Sequence, residues 1–418
     1  AVLGEPLLGT LSGLDRAPGS LDSVYAIDGA SEFDAARPLD ARLEGVSAAT
    51  RPVDTAATDP ASVFYTSGST GDPKGVVLPH RTLLGLLPSY LTLKCDLELA
   101  GTDRFWTTSE WSWIALHTTV FTSWFYGAPV VAFDRGAFDA AAALELIDAY
   151  GVTSLSAPPA ALRRLRDADR DPAGDVRVVF SGGSLLREST VEWARRAFGP
   201  VSVHVSYGLT EAACVSGNCE ALGKPYRAGT IGVPQPGHEV RLLDPDAEDC
   251  TPVPAGDVGE IAVDADDPVC MDRYWENPEA TARAFRDGWL LTNDLGRRTE
   301  DGYIEYVGRA DNVIISAGYR IGPVEIEECL TAHDAVDAAG VIGVSDPERG
   351  EIPKAAVVSA DGVDPDGELK DALQRHVRDA LALYKYPRAI EFVEDLPMTS
   401  SGKLDRATLR EGLTDEER

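Results

Sequence analysis

Tyr65-Thr66-Ser67-Gly68-Ser69-Thr70-Gly71-Asp72-Pro73-Lys74-Gly75 is the stretch from which the rest of the chain is read. It packs hydroxyls at Thr66, Ser67, Ser69 and Thr70, glycines at 68, 71 and 75, and Lys74 into a short loop. Glycines let a backbone approach an anion and turn successive N–H groups toward it. The hydroxyls can donate to phosphate oxygens, and Lys74 adds positive charge. Val63-Phe64-Tyr65 before the loop and Val76-Val77-Leu78 after it read as strand–turn–strand, which a flexible Ser/Gly linker would not need. Gly75 follows the lysine where a Walker A loop has Ser or Thr, so this is a different anion loop.

At 418 residues, with 44% hydrophobic composition, the chain can build two or more domains around a large core. It has no apolar run of membrane-spanning length, and no basic region followed by an apolar stretch opens it, so no signal peptide is read. Net charge is −30, and lysine occurs only at 74, 94, 224, 354, 370, 385 and 403. A surface rich in carboxylate and poor in lysine suits high salt, where screening suppresses self-repulsion; a halophilic source is the expectation. The same charge excludes nucleic acid and anionic membranes as expected partners. Cysteines 95, 214, 219, 250, 270 and 329 form no Cys-x-x-Cys pair, which fits a reducing cytoplasm without a disulfide framework or structural zinc. His80, His117 and His204 show no ligand spacing and read as structural.

Residues 61–225 alternate short apolar strands (130–133, 154–157, 176–180, 201–205) with helices (140–150, 187–198), the pattern of a layered α/β domain. Residues 226–306 turn to Gly, Pro and alternating segments (239–243, 259–263), a small antiparallel β unit. A third block reads as helix 324–330, strands 338–344 and 354–359, and helix 366–383, a compact α+β domain.

Four further segments accompany the loop: Tyr207-Gly208-Leu209-Thr210-Glu211; Thr292-Asn293-Asp294; Gly308-Arg309-Ala310-Asp311-Asn312, leading into residues 316–327; and residues 396–406, with Lys403 on a Ser/Gly loop. In this order and spacing the set resembles the adenylate-forming superfamily of acyl-CoA synthetases, luciferases and peptide-synthetase adenylation domains, from about residue 61 to 411. Tyr384-Lys385-Tyr386-Pro387-Arg388 and residues 316–327 look most like AMP-forming acetyl-CoA and medium-chain acyl-CoA synthetases. The resemblance implies a large α/β N-terminal domain over 1–309, with its β unit, and a small α+β C-terminal domain over 310–418 that rotates about a hinge at Asp311.

By the same resemblance, Thr66, Ser67, Gly68, Ser69, Thr70, Gly71 and Lys74 would hold the ATP phosphates. Tyr207 would stack on adenine, and Asp294 and Arg309 would reach the ribose. Arg320 would reach the α-phosphate. Thr210 and Glu211 would sit at the reaction centre, with Glu211 and Thr70 on magnesium (Mg2+). Lys403 would bridge the attacking carboxylate and the α-phosphate, and Gly318 would line a CoA tunnel. Asn293 stands where the family usually has Gly, and a polar residue able to adopt left-handed geometry is the mildest replacement. The implied activity is ATP-dependent ligation of a small carboxylic acid to CoA through an acyl-adenylate.

Trp113, Ala115, Gly182, Gly183 and Gly208 are the candidate acyl pocket. In acetate-specific relatives a tryptophan occupies the position of Gly208, so hydrogen there opens room for several methylenes, each worth about 0.8 kcal/mol when buried. Gly208 also has a purely conformational reading, as a turn glycine, and the two readings are not exclusive. The acid expected is longer than acetate, or a small aromatic acid. Rival classes are an adenylation module serving a carrier protein and a non-catalytic remnant. Only 64 residues precede Tyr65, where relatives carry a larger α/β region, so an N-terminally truncated chain is expected.

Thermal unfolding in dilute buffer and in molar KCl tests the charge reading. The midpoint should rise in KCl, and equal midpoints would remove the halophilic expectation.

Overall fold

The computed structural model describes residues 2–3, 24–26, 36–47, 51–66, 73–133, 138–168, 170–172, 174–247, 249–360, 362–399 and 404–415. It divides into two compact units, Ala1–Ala56 and Ala57–Arg418. In the first, strands Val2–Leu3, Val24–Ala26 and Ala36–Pro38 form a parallel sheet, and the last runs into the one-turn helix Leu39–Leu43.

The second unit is built around a six-stranded sheet ordered Val233–Pro234, Ala212–Gly217, Ser202–Leu209, Val178–Gly182, Ser154–Ser156, Phe105–Thr107. The last four strands are mutually parallel, and the first two add antiparallel. The short apolar runs seen in the sequence follow from burial on both faces. Val179, Val203 and Val205 pack with helices Ala140–Tyr150, Pro159–Arg166 and Glu188–Ala197 through Leu144, Ile147, Leu162 and Val191. Phe180 faces the other way, into a core shared with Leu86 and Leu93 of the helix Arg81–Cys95. Of the expected strand 130–133, only Val130 pairs, in a single bridge to Phe105. Pro129, just before it, has no N–H to extend the ladder.

The helix Arg81–Cys95 escaped the sequence reading because Gly85 and Pro88 both lie inside it. Gly85 is required by contact: a Cβ there would sit 2.9 Å from Pro268 and Val269 side chains and 3.0 Å from the Val269 backbone nitrogen.

Pro60–Thr66, Lys74–Pro79 and Arg273–Tyr274 form a three-stranded sheet. Val240–Leu243, Val258–Asp264, Trp289–Arg298, Phe285–Arg286 and Ile304–Arg309 form an antiparallel one, the expected β unit. Beyond the turn Ala310–Asn312, a five-stranded sheet and helices Pro323–Thr331, Gly367–Ala380 and Arg406–Asp415 enclose a separate core. Within it, Lys385 pairs with Glu325 at 2.5 Å and Tyr384 stacks on Tyr319 at 4.3 Å, joining the 384–388 motif to the 316–327 motif.

One fully buried core residue is a lysine. Lys94 is 1% exposed, its ammonium lies 4.1 Å from the centre of the Phe180 ring, and it donates to the Thr119 hydroxyl. Burial pushes its pKa down to about 8 from 10.5. Between these values the unfolded chain binds more proton than the folded one, so stability rises with pH across that window. Denaturant unfolding at pH 7.5 and pH 10 should show wild type gaining on Lys94→Met by on the order of a few kcal/mol. An unchanged difference would mean that the ammonium is not held in the core.

Candidate active site

Thr66 pairs with Lys74 and Tyr65 with Gly75, so the two strands bring both ends of the 65–75 loop together. The Thr66 hydroxyl closes the mouth at 3.5 Å from the Lys74 carbonyl. Ser67, Gly68, Ser69, Thr70 and Gly71 lie outside the described residues. Lys74 places its ammonium 5.3 Å from the centre of the Tyr274 ring, and the Tyr274 hydroxyl donates to Glu211 Oε1 at 2.7 Å.

Register explains this chain of side chains. Tyr274 pairs with Val76, two residues beyond Lys74. The Met271 N–H donates to the Glu211 carbonyl at 2.8 Å, and Ala212 bridges Cys270. Burial first, then the Glu211 carboxylate, pushes the Tyr274 phenol up, so it stays a neutral donor. Thr210 precedes Glu211 in the tight turn joining Ser202–Leu209 to Ala212–Gly217.

A second cluster forms on the same hairpin. Asp294, 8% exposed, accepts from the Tyr207 hydroxyl at 2.8 Å through one oxygen and from the Tyr306 hydroxyl at 3.1 Å through the other. Arg309, its cross-strand partner, lies 3.7 Å away and also bonds Asp311 at 3.2 Å. Burial would lower the Arg309 pKa, but Asp294 and Asp311 outweigh it and the net direction is up. Both phenols are pushed up, by burial and then by Asp294, and remain donors. A buried carboxylate that takes one hydroxyl on each oxygen is chemically matched to a vicinal diol. The Tyr207 ring is buried and its hydroxyl is spent on Asp294.

Asn293 has φ +59°, the left-handed conformation expected of a glycine substitute. Its N–H donates to Glu260 at 2.8 Å and its side chain to Asp311 at 3.2 Å, so the exchange from glycine adds a tie to the residue read as a hinge.

The five acyl-pocket candidates behave differently from one another. A Cβ on Gly208 would meet the Cys214 nitrogen at 2.4 Å and the Ala212 oxygen at 2.9 Å. Here the strand pair is bulged between Ala212 and Ser216, with Cys214 at φ +58°. The backbone approach by itself requires glycine here, which supports the conformational reading without excluding the other. Gly182 has the Ser206 oxygen 3.3 Å and the Phe180 ring 3.7 Å from a Cβ, whereas a Cβ on Gly183 would meet open space at a strained φ of +89°. Trp113 is 41% exposed, and Ala115 half-buried, just ahead of the π-helix Leu116–Phe121. That π-helix carries His117, which bonds Ser62 at 3.0 Å and packs edge-on against Phe64.

Gly318, at φ +85° beside Ala317 at +49°, forms the tip between strands Ile314–Ser316 and Tyr319–Ile321. Two positive φ values at such a tip are the geometry that calls for glycine. Arg320 pairs with Ile315 in that hairpin; its side chain, like Lys403, lies outside the described residues. Tyr274, Tyr306 and Glu260 were missed by sequence reasoning. Their only signal is register: each faces its partner across a strand pair or packed sheet.

The family model described as AMP-binding enzyme matches residues 11–275, and that of the AMP-binding enzyme C-terminal domain matches 325–403. The mitochondrial acyl-coenzyme A synthetase ACSM3 of Rattus norvegicus is 35% identical over 371 residues, 86% of this chain and 62% of that protein. An acyl-CoA ligase of Bacillus subtilis, YtcI, described as uncharacterized, is 34% identical over 86% of this chain and 67% of its own length. The chain thus spans less than two thirds of the ACSM3 relative. Among solved structures, anthranilate CoA ligase AuaEII in complex with anthranoyl-AMP superposes with TM-score 0.87 at 25% identity, covering 98% of this chain and 77% of that one. ATP-bound MatB from Rhodopseudomonas palustris gives 0.81 at 28%, covering 94% and 75%.

The Gly208 contact is testable without substrate. Gly208→Ala should lose about 1–3 kcal/mol in urea unfolding by overpacking. Gly412→Ala, in the helix Arg406–Asp415 with nothing within 4 Å of a Cβ, should be neutral or gain stability. A neutral Gly208→Ala would remove the conformational reading of that glycine.

Proposed function

Because the chain belongs to the AMP-binding enzyme family, we propose that it is an AMP-forming acid–thiol ligase, joining a carboxylic acid to CoA at the expense of ATP. The observation that carries this reading is the convergence of two carboxylates with distinct partners on one bulged hairpin. Asp294 is held for a diol by Tyr207 and Tyr306, and Glu211 lies beside Lys74 at the mouth of the anion loop. Together they suit the ribose and the phosphates of one nucleotide.

In the first step a carboxylate oxygen attacks the α-phosphorus, the bond to the β-phosphate oxygen breaks, and pyrophosphate leaves with the electron pair. Lys403 neutralises the approach of two anions, Arg320 holds the α-phosphate, and the 66–71 segment with Lys74 receives the departing pyrophosphate. In the second step the CoA sulfur attacks the acyl carbon, the bond to AMP breaks, and the thiol proton goes to solvent. The 310–418 block rotates about Asp311 between steps, which would break the Asp311 bonds to Arg309 and Asn293 and bring Gly318 to the CoA arm.

The Glu211 carboxylate suits magnesium: Tyr274 engages one oxygen, Oε1, and among the described residues none bonds the other. Glu211 and Thr70 would hold the ion, which supplies charge neutralisation at the phosphates. The acid is longer than acetate or a small aromatic one, a reading that rests on the small residues Gly208, Gly182 and Gly183.

Acid-dependent ATP–pyrophosphate exchange in molar KCl, with acetate, butyrate, octanoate and benzoate, tests the proposal. Exchange should favour an acid larger than acetate and should fall about 100-fold or more in Lys403→Ala and in Asp294→Asn. Preference for acetate would refute the pocket reading. Exchange untouched by Lys403→Ala would refute the assignment of that lysine, and no exchange with any acid would leave this chain short of the proposed activity.

A further inference from the structure

At the C-terminal end of the helix Arg81–Cys95, three donor side chains from three segments converge. Asp96 caps the helix Arg81–Cys95 in the left-handed conformation, φ 50° and ψ 42°, which swings its carboxylate off the helix. His204 lies mid-strand in Ser202–Leu209 and is 0% exposed. Cys219, 1% exposed, opens the turn Glu220–Leu222. Their ligand atoms lie within 4.8 Å of one another.

Hydrogen bonding decides what these atoms are. His204 Nδ1 is 2.9 Å from the Leu93 carbonyl, which can only accept, so Nδ1 carries the proton. The Glu220 N–H is directed at Nε2 at 3.4 Å, which treats Nε2 as an acceptor with a lone pair. Yet Nε2 stands 3.2 Å from Asp96 Oδ1, which also bears lone pairs. Two acceptor atoms at that distance call for a proton or a metal ion between them. The alternative, an imidazolium paired with the carboxylate, would crowd three donors onto one oxygen: Nε2, the Cys219 thiol at 3.5 Å and the Ala221 N–H at 3.0 Å. A carboxylate oxygen has two lone pairs, enough for the Ala221 N–H and one metal.

Two of the three ligand separations agree with a metal. Zinc bonds of about 2.0–2.1 Å to N and O and about 2.3 Å to S, at tetrahedral angles, put N and O about 3.3 Å and O and S about 3.5 Å apart. The corresponding separations are 3.2 and 3.5 Å. The outer partners are those of a metal centre. The Leu93 carbonyl orients the imidazole, and the Ser202 hydroxyl holds the second carboxylate oxygen at 2.8 Å.

We propose that Asp96, His204 and Cys219 form a tetrahedral site for a divalent transition metal, zinc by its mixed N, O and S donors, with water as fourth ligand. Binding forms one bond each from Nε2, a carboxylate oxygen and the thiolate sulfur. The thiol proton passes to solvent, and no electron is transferred. The site joins separate segments. It clamps the helix that follows the anion loop to the strand that leads to Tyr207, and loaded protein gains stability by mass action. Sequence spacing pointed away from zinc, because the donors stand more than a hundred residues apart and share no motif.

The test is a titration of chelator-treated full chain with Co2+ and then Zn2+. One equivalent of Co2+ should give a thiolate-to-cobalt charge-transfer band that Zn2+ abolishes, and Zn2+ should raise the thermal midpoint. Cys219→Ser should lose the band and the midpoint shift, whereas Cys250→Ser, at a half-buried cysteine outside the cluster, should keep both. Absence of the band in wild type, a midpoint indifferent to Zn2+, or a band that survives in Cys219→Ser would each overturn the proposal. The wild-type readings decide it even if the Cys219 variant fails to fold. A His204→Gln variant that loses stability without any metal dependence in wild type would establish an ion pair instead.

Discussion

The close approach of Gly208 to the bulged backbone at 212–214 is the constraint on which the candidate site depends. A Cβ at 208 would lie 2.4 Å from the Cys214 nitrogen, so only hydrogen permits the strand Ser202–Leu209 to fold back onto Ala212–Gly217 as it does. With that return fixed, Tyr207 delivers its hydroxyl to Asp294 and Glu211 meets Tyr274. Two residues of one hairpin therefore face two different neighbours, Tyr207 the antiparallel sheet and Glu211 the anion-loop strands. A small change in the bulge would move both groups at once.

The polar groups around this hairpin are buried in a way that keeps their roles distinct. Tyr207, Tyr274 and Tyr306 each lie against a carboxylate in a desolvated setting, and burial keeps each phenol protonated. A neutral donor against a charged acceptor gives a strong hydrogen bond without placing two like charges together. Tyrosine suits this use because its ring fills apolar volume while its hydroxyl stays polar. Lys94 shows the opposite case: an ammonium in the same core with a ring and a hydroxyl for company, its pKa pressed toward neutrality.

Behind the site the architecture is economical. The Arg81–Cys95 helix starts where the anion-loop strands end, crosses beneath the central sheet, and finishes at Asp96 beside His204. Its Gly85 touches the segment that carries Tyr274, and its Leu86 and Leu93 share a core with Tyr207 and Cys214. One helix thus couples the loop, the Tyr274 strand and the bulged hairpin through packing, which is how a site built from distant segments holds a common geometry.

Local order was legible in the sequence. Alternation and apolar runs placed the helix Ala140–Tyr150, the parallel strands, the antiparallel unit and the final α+β block, because side-chain period is a property of neighbouring residues. Asn293 was read as a left-handed substitute for glycine and has φ +59°, again a local property. The partners were not legible. Tyr274 meets Glu211 across 63 residues and Tyr207 meets Asp294 across 87, through strand registers and bulges that no spacing encodes. The Arg81–Cys95 helix was hidden by Gly85 and Pro88, which tertiary contact accommodates. The sequence by itself thus determined the family and the local order of the elements whose period it shows. Only the tertiary structure decided which of them meet, and that Gly208 serves the backbone, because both depend on how separate strands are brought side by side.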